Sequence, residues 1–227
     1  MLNTSRRLAT TLCAAGMTIL SGCAAMAPDA YPYGGFVPLS YSANPGQRYP
    51  MILFLHGAGD TNPQEKMIPD YALAQPDFPF VVIVPRARRD WEVDRLQKLL
   101  DEVSARYRID PKRIYITGIS MGGLGAWKMI NAHPQTFAGA VLIAGAGNPD
   151  LACRARSVPV WFIHNANDHV VPVRDSADAA AALRRCGGTV ETSLDAAPPG
   201  EGWNHDAWTA VYASPKIYEW LLAHPQP

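Results

Sequence analysis

The stretch Ile114-Tyr-Ile-Thr-Gly-Ile-Ser120-Met-Gly-Gly-Leu-Gly-Ala-Trp127 sets a β-branched run, a Gly-x-Ser-x-Gly turn and a helix-like run in immediate succession. Few folds accept that order. Ile114, Ile116, Thr117 and Ile119 favour a strand. A serine between strand and helix sits in so tight a turn that the residues two before and two after it must be small, a condition that Gly118 and Gly122 meet. The turn leaves the Ser120 hydroxyl exposed at the carboxyl end of a sheet, as a nucleophile requires. A glycine-rich turn with an incidental serine is the bland alternative, and the strand-turn-helix context argues against it.

The rest of the chain supplies a sheet for that strand. Met51-Ile-Leu-Phe-Leu55 and Phe80-Val-Val-Ile-Val84 are unbroken apolar runs, the mark of strands covered on both faces. Residues 139–144, 158–163 and 189–194 read as further strands, and residues 36–42 as an edge strand before a turn at Asn44-Pro-Gly46. Between them, residues 92–107 carry Val93, Leu96, Leu99, Leu100, Val103 and Tyr107 at helical spacing, followed by a turn at Asp110-Pro-Lys. Residues 60–79 hold one short helix, the serine helix stops near His133-Pro134, and residues 174–185 form an Ala-rich helix closed by Gly187-Gly188. A loop over 196–204 and a final helix over 207–223, interrupted at Pro215, complete the alternation. The pattern predicts an α/β chain with a mostly parallel central sheet flanked by helices.

With 227 residues, 48% of them hydrophobic, the chain has material for one substantial core rather than two domains. Twenty basic and twenty acidic residues balance without a basic stripe, which argues against a nucleic-acid partner.

The start of the chain has a different character. Arg6 and Arg7 precede an uncharged, mostly apolar run over 8–20, which ends in Leu20-Ser-Gly-Cys23. A run of that length covers only about 20 Å as a helix, short of a hydrocarbon core about 30 Å thick, so it reads as an export leader rather than a span. The ending resembles the bacterial lipobox, which implies that Cys23 is acylated and becomes the mature amino terminus. The alternative is an ordinary secreted chain cleaved near Ala24 or Ala25. Several acyl chains on Cys23 anchor far more firmly than a single chain, and the anchor is the one membrane contact expected. By the rule for such lipoproteins, Ala24 after the cysteine directs the chain to the outer membrane, with the domain in the periplasm or at the cell surface. Loss of residues 1–22 removes two arginines and no acids, leaving 18 basic and 20 acidic side chains. Residues 24–35, rich in Ala, Pro, Tyr and Gly, read as a tether. The expected organisation is therefore a leader over 1–22, a lipid-anchored tether over 23–35 and a catalytic domain over 36–227. The mature domain keeps Cys153 and Cys186, and export leaves both a disulfide and two free thiols open.

A serine hydroxyl needs a base beside it, and the base needs an orienting carboxylate. In folds of this kind the chain order is serine, acid, histidine, with both partners on loops after later strands. His164-Asn-Ala-Asn-Asp168-His169-Val-Val-Pro172 begins where a predicted strand ends, so Asp168 is the leading acid and Asp195 its rival. Gly202-Trp-Asn-His205-Asp206-Ala-Trp208 follows the next strand, so His205 is the leading base. His169 is the weaker base because it directly follows the best acid. Stabilising a tetrahedral oxyanion calls for two backbone N–H groups. Met121, directly after the nucleophile, and Ala58, in the His56-Gly-Ala-Gly59 loop, are the candidates, with His56 bracing that loop. Trp91, Trp203 and Trp208 are candidate pocket residues. No His-Glu-x-x-His or Cys-x-x-Cys spacing points to a metal, and the glycine-rich turn lacks the lysine of a phosphate loop.

Together, His56-Gly-Ala-Gly, Ile116 to Trp127, Asn167-Asp-His-Val-Val-Pro172 and Asn204-His-Asp-Ala-Trp208 resemble the α/β-hydrolase superfamily, within it the phospholipase/carboxylesterase and "predicted peptidase" esterase group. The resemblance implies an eight-stranded or slightly smaller, mostly parallel sheet, no cofactor, and hydrolysis of small-molecule or polymer carboxylic esters by a serine hydrolase; this sequence departs from it in having no long insertion after Ala144 that offers a lid. A serine peptidase, a polyester depolymerase and a noncatalytic envelope lipoprotein are the alternatives. Oligomeric state does not follow from these residues.

Overall fold

Eight strands form one sheet in the computed structural model, which describes residues 19–21, 29–59, 63–195 and 204–227. They are β1 (Ile19–Ser21), β2 (Tyr33–Phe36), β3 (Tyr49–Leu55), β4 (Val81–Pro85), β5 (Ile109–Ile119), β6 (Gly139–Ile143), β7 (Val160–Ile163) and β8 (Val190–Ser193), in the spatial order β1-β2-β4-β3-β5-β6-β7-β8. The first two strands pair antiparallel, and the six from β3 onward run parallel. The parallel strands need crossovers, and α1 (Met67–Leu73), α2 (Val93–Arg106), α3 (Met121–Ala132) and α4 (Val173–Arg185) supply most of them, followed by α5 (Thr209–Tyr212) and α6 (Pro215–Leu222) after β8.

Alternation along each strand divides the core in two. On β3, Met51, Leu53 and Leu55 face a layer built from α2, α3 and α4, whereas Ile52 and Phe54 face the layer of α1, α5 and α6. On β5, Ile114 and Ile116 join the first layer, and Tyr115 and Ile119 the second. Both faces are covered, which is why these strands are apolar throughout. A fully buried Leu, Ile or Phe contributes about 1.5–3 kcal/mol, and an exposed ion pair such as Lys128 with Asp90 at most about 1 kcal/mol. The two apolar layers therefore hold the central strands in place.

Three expectations change at the boundaries, and one segment gains a strand. The edge strand expected over 36–42 is instead β2, and Leu39–Tyr41 forms a short 3-10 turn. The tether expected over 23–35 does not extend to Gly35, because Ala30, Tyr31 and Tyr33 are buried in the core and β2 pairs with β4. Three residues of the expected leader form β1 on the outer edge of β2. The turn expected at Asp110 is a bulge within β5: pairing jumps from Tyr49 with Ile109 to Met51 with Ile114, and the Asp110 carboxylate accepts the Lys112 N–H at 3.0 Å. Cys23 lies outside the described residues. Cys153 and Cys186 are joined in a disulfide with their Cα atoms 5.2 Å apart.

Candidate active site

Position in the sheet decides what Ser120 can meet. It follows β5, the strand flanked by β3 and β6, and it caps α3 at the carboxyl edge. Its backbone is held at φ 52°, ψ −118°, a conformation that costs energy for a residue with a Cβ. The neighbours leave no relaxed alternative. A Cβ on Gly118 would overlap the Gly122 carbonyl, and one on Gly122 would overlap the Leu55 carbonyl oxygen and lie 2.7 Å from that of His56. The Ser120 N–H is tied to the Ile143 carbonyl at 2.9 Å.

The loops after β7 and β8 bring the other two groups to this corner. His205 Nε2 lies 2.9 Å from Ser120 Oγ, and His205 Nδ1 lies 2.6 Å from Asp168 Oδ2. The Asp168 side chain is fully buried, and that of His205 is 14% exposed. Burial alone would raise the Asp168 carboxyl. The His205 hydrogen bond, the N–H groups of Val171 and Val170 and the charge available on His205 outweigh it and hold the carboxyl below the usual aspartate range. Asp168 is thus an anion held in place. Its bond fixes the His205 proton on Nδ1 and turns the lone pair of Nε2 toward the serine hydroxyl.

The first turn of α3 packs against the end of β3, the close approach that Gly122 permits. Met121, half-buried at the first helical position, and the exposed Ala58 therefore flank the same corner. First-turn N–H groups of a helix have no partner within the helix, so that of Met121 is available to a ligand. His56 braces the neighbouring loop. Its Nε2 accepts the Ala87 N–H at 3.2 Å, so Nδ1 carries the hydrogen and donates to the Gly57 carbonyl at 2.6 Å. The Trp91 indole donates to the His56 carbonyl at 3.1 Å.

The rivals stand apart. His169 and Asp195 are exposed. Trp91, a candidate pocket residue, is instead buried beneath the braced loop, against the place where a Gly125 Cβ would stand. Trp203 lies outside the described residues. Trp208 meets His205 edge-on, ring centres 5.1 Å apart. Among the described residues, no three His, Cys, Asp or Glu side chains converge as metal ligands.

Two features escaped the sequence reading. His164, fully buried at the end of β7, places Nε2 3.1 Å from Asp168 Oδ2 and Nδ1 2.8 Å from the Ser176 hydroxyl of α4. Asn165 Nδ2 donates to the Asn204 carbonyl at 3.1 Å, tying the acid loop to the histidine loop. The four-residue step from His164 to Asp168 was the one available signal.

Comparison with known proteins agrees with this architecture. A profile of the prolyl oligopeptidase family matches residues 80–152, about a third of the chain. A bifunctional acetylxylan esterase/xylanase of Neocallimastix patriciarum is 28% identical over 54% of this chain but only 20% of its own length. A poly(3-hydroxyalkanoate) depolymerase of Paucimonas lemoignei is 38% identical over 26% of this chain and 14% of its own. The chain therefore spans a quarter or less of the first curated relatives it matches. Among solved structures, a thermostable esterase superposes with a TM-score of 0.71 at 26% identity, covering 92% of this chain and 63% of that one. A fluorophosphonate-binding serine hydrolase of Staphylococcus aureus superposes with a TM-score of 0.66 at 13% identity, covering 90% and 96%. The chain has the α/β-hydrolase fold.

Proposed function

We propose that this chain is a serine carboxylesterase in which Ser120, His205 and Asp168 act as one unit. The observation that carries the reading is the unbroken line of hydrogen bonds from Asp168 Oδ2 through both nitrogens of His205 to Ser120 Oγ, 2.6 and 2.9 Å long. As Ser120 Oγ attacks an ester carbonyl, its proton passes to His205 Nε2, and the buried Asp168 anion stabilises the imidazolium. The carbonyl oxygen takes the negative charge and receives the N–H groups of Met121 and Ala58, which strengthen as the charge grows. Collapse of the tetrahedral adduct breaks the bond to the alkoxide, which leaves with the proton from Nε2. Water then gives a proton to Nε2 and attacks the acyl-enzyme, releasing the acid and restoring Ser120.

The esterase relatives support the ester as substrate class, and the depolymerase similarity favours polymeric hydroxy-acid esters as the second reading. The test is hydrolysis of p-nitrophenyl esters from acetate to long chains, with Ser120→Ala alongside. Activity that vanishes in the variant supports the assignment, and near-normal turnover by the variant refutes it. No hydrolysis of the p-nitrophenyl esters by folded protein, with poly(hydroxyalkanoate) cleaved, moves the substrate to the polymer. We also propose export as a lipoprotein anchored through Cys23. It rests on Arg6-Arg7, the apolar run and Leu20-Ser-Gly-Cys23. Maturation there would remove β1 and leave β2 at the sheet edge. Cys23→Ser should release the protein from the membrane fraction, and unchanged membrane partition would refute the anchor.

A further inference from the structure

Asp168 is gripped from two sides, and only one grip belongs to the mechanism above. Its Oδ1 accepts the N–H groups of Val170 and Val171 at 2.8 and 3.0 Å. Its Oδ2 is shared by two imidazoles, His205 Nδ1 at 2.6 Å and His164 Nε2 at 3.1 Å. His164 Nε2 also faces the Val171 carbonyl at 3.0 Å. Two acceptors on one ring nitrogen require that nitrogen to carry the hydrogen, so in the neutral ring Nδ1 accepts the Ser176 hydroxyl at 2.8 Å. His164 and Ser176 are both wholly buried. The line of hydrogen bonds therefore continues behind the acid, from Ser120 through His205 and Asp168 to His164 and Ser176 on α4.

Resting on the serine-hydrolase reading, we propose that His164, oriented by Ser176, is a positioning residue that fixes the Asp168 carboxylate for His205. Without it, Oδ2 would have one donor, and only the two N–H bonds to Oδ1 would resist a turn of the carboxylate about its last bond. The His205 ring would follow, and a shift of about 1 Å at reacting atoms costs roughly 100-fold in rate. With it, four donors define one orientation, and the second imidazole draws charge from Oδ2, so the proton on His205 Nδ1 stays on nitrogen. His164 touches neither substrate nor Ser120, so its removal should act on turnover and leave substrate binding alone.

The experiment compares His164→Leu, which keeps bulk and loses the donor, with His164→Gln, whose amide returns an N–H near the position of Nε2, and with Ser176→Ala. Each is assayed on p-nitrophenyl acetate beside wild type and Ser120→Ala, with thermal melting as the check on folding. The leucine variant should lose about 10- to 100-fold in kcat with KM within about twofold of wild type, and the glutamine variant should recover most of that loss. Ser176→Ala should lose several-fold in kcat alone. A folded leucine variant with wild-type kcat overturns the proposal, as does a folded glutamine variant no faster than leucine. Should the leucine variant not fold, Ser176→Ala decides: a kcat loss at constant KM supports the positioning role, and unchanged kcat overturns it. Wild-type activity that persists in Ser120→Ala is a failure of the underlying reading, and ratios of the His164 and Ser176 variants to wild type do not mimic it.

Discussion

Cys153 and Cys186 lie 33 residues apart in sequence and are bonded at the end of the sheet away from Ser120. The first sits in the 3-10 turn Pro149–Ala155 that leads into β7, and the second follows the last residue of α4 before the chain enters β8. A crosslink closing a loop of that length removes about 12.5 cal/mol/K from the unfolded chain, or about 3.7 kcal/mol at 25 °C. Cys153 is exposed and Cys186 half-buried, so replacing both by serine opens no large cavity and the entropic effect should dominate. For a protein of this size, that loss corresponds to a fall in melting temperature of about 7–15 °C. Ser120, Asp168 and His205 hang from the opposite ends of β5, β7 and β8, so kcat should stay within about twofold of wild type below the transition. The assay is thermal unfolding by circular dichroism of the oxidised protein and of Cys153→Ser/Cys186→Ser, with maleimide titration in denaturant to count free thiols. A double variant that melts with wild type would refute the loop-closure argument. One that keeps its melting temperature and loses activity would show that the two ends of the sheet are not independent.

Three further outcomes follow from the same structure. Gly122→Ala drives a Cβ into the Leu55 carbonyl oxygen and to 2.7 Å from that of His56, so the end of β3 and the loop after it must retreat; kcat should fall about 100-fold and stability by about 1–3 kcal/mol, and wild-type values for both would refute the packing argument. Asp168→Asn should keep the fold but lower kcat roughly 10⁴-fold by releasing the tautomer of His205, and a loss under about tenfold would contradict the role given to the carboxylate. Burial pushes the Tyr115 phenol up to about 12, and its hydroxyl has no hydrogen-bond partner among the described residues. Because the folded state keeps this proton longer than the unfolded chain, its contribution is intact below about pH 10 and is lost as pH rises toward 12. Tyr115→Phe should accordingly flatten the alkaline fall in stability and add about 1 kcal/mol at neutral pH, and a destabilised variant would show that the hydroxyl has an unseen partner.

How much of this was legible depended on the range of the forces involved. Helix α2 and strands β3 and β5 followed from spacing, since a face that repeats every three or four residues, or a run apolar at every position, reports its own burial. Strand β2 is hidden in the sequence because the residues around it are rich in Pro, Tyr and Gly. That composition describes a tether until Tyr31 and Tyr33 are seen to insert into a core formed by residues far along the chain. The Asp110 bulge was missed for a related reason, as its local turn chemistry is real but the flanking residues belong to one strand. At the site, the serine turn carries its own signature in Gly118 and Gly122. Asp168 and His205 needed only loop order. His164 and Ser176 needed more, because a serine in an Ala-rich helix shows nothing of its partner until α4 folds back over β7.

The most direct test of the account is the reaction of folded protein with a fluorophosphonate, followed by intact mass and peptide mapping. One adduct, located on Ser120, is expected, with labelling slowed by orders of magnitude in His205→Ala. Folded wild-type protein that takes no adduct, or takes it at another residue, would contradict it.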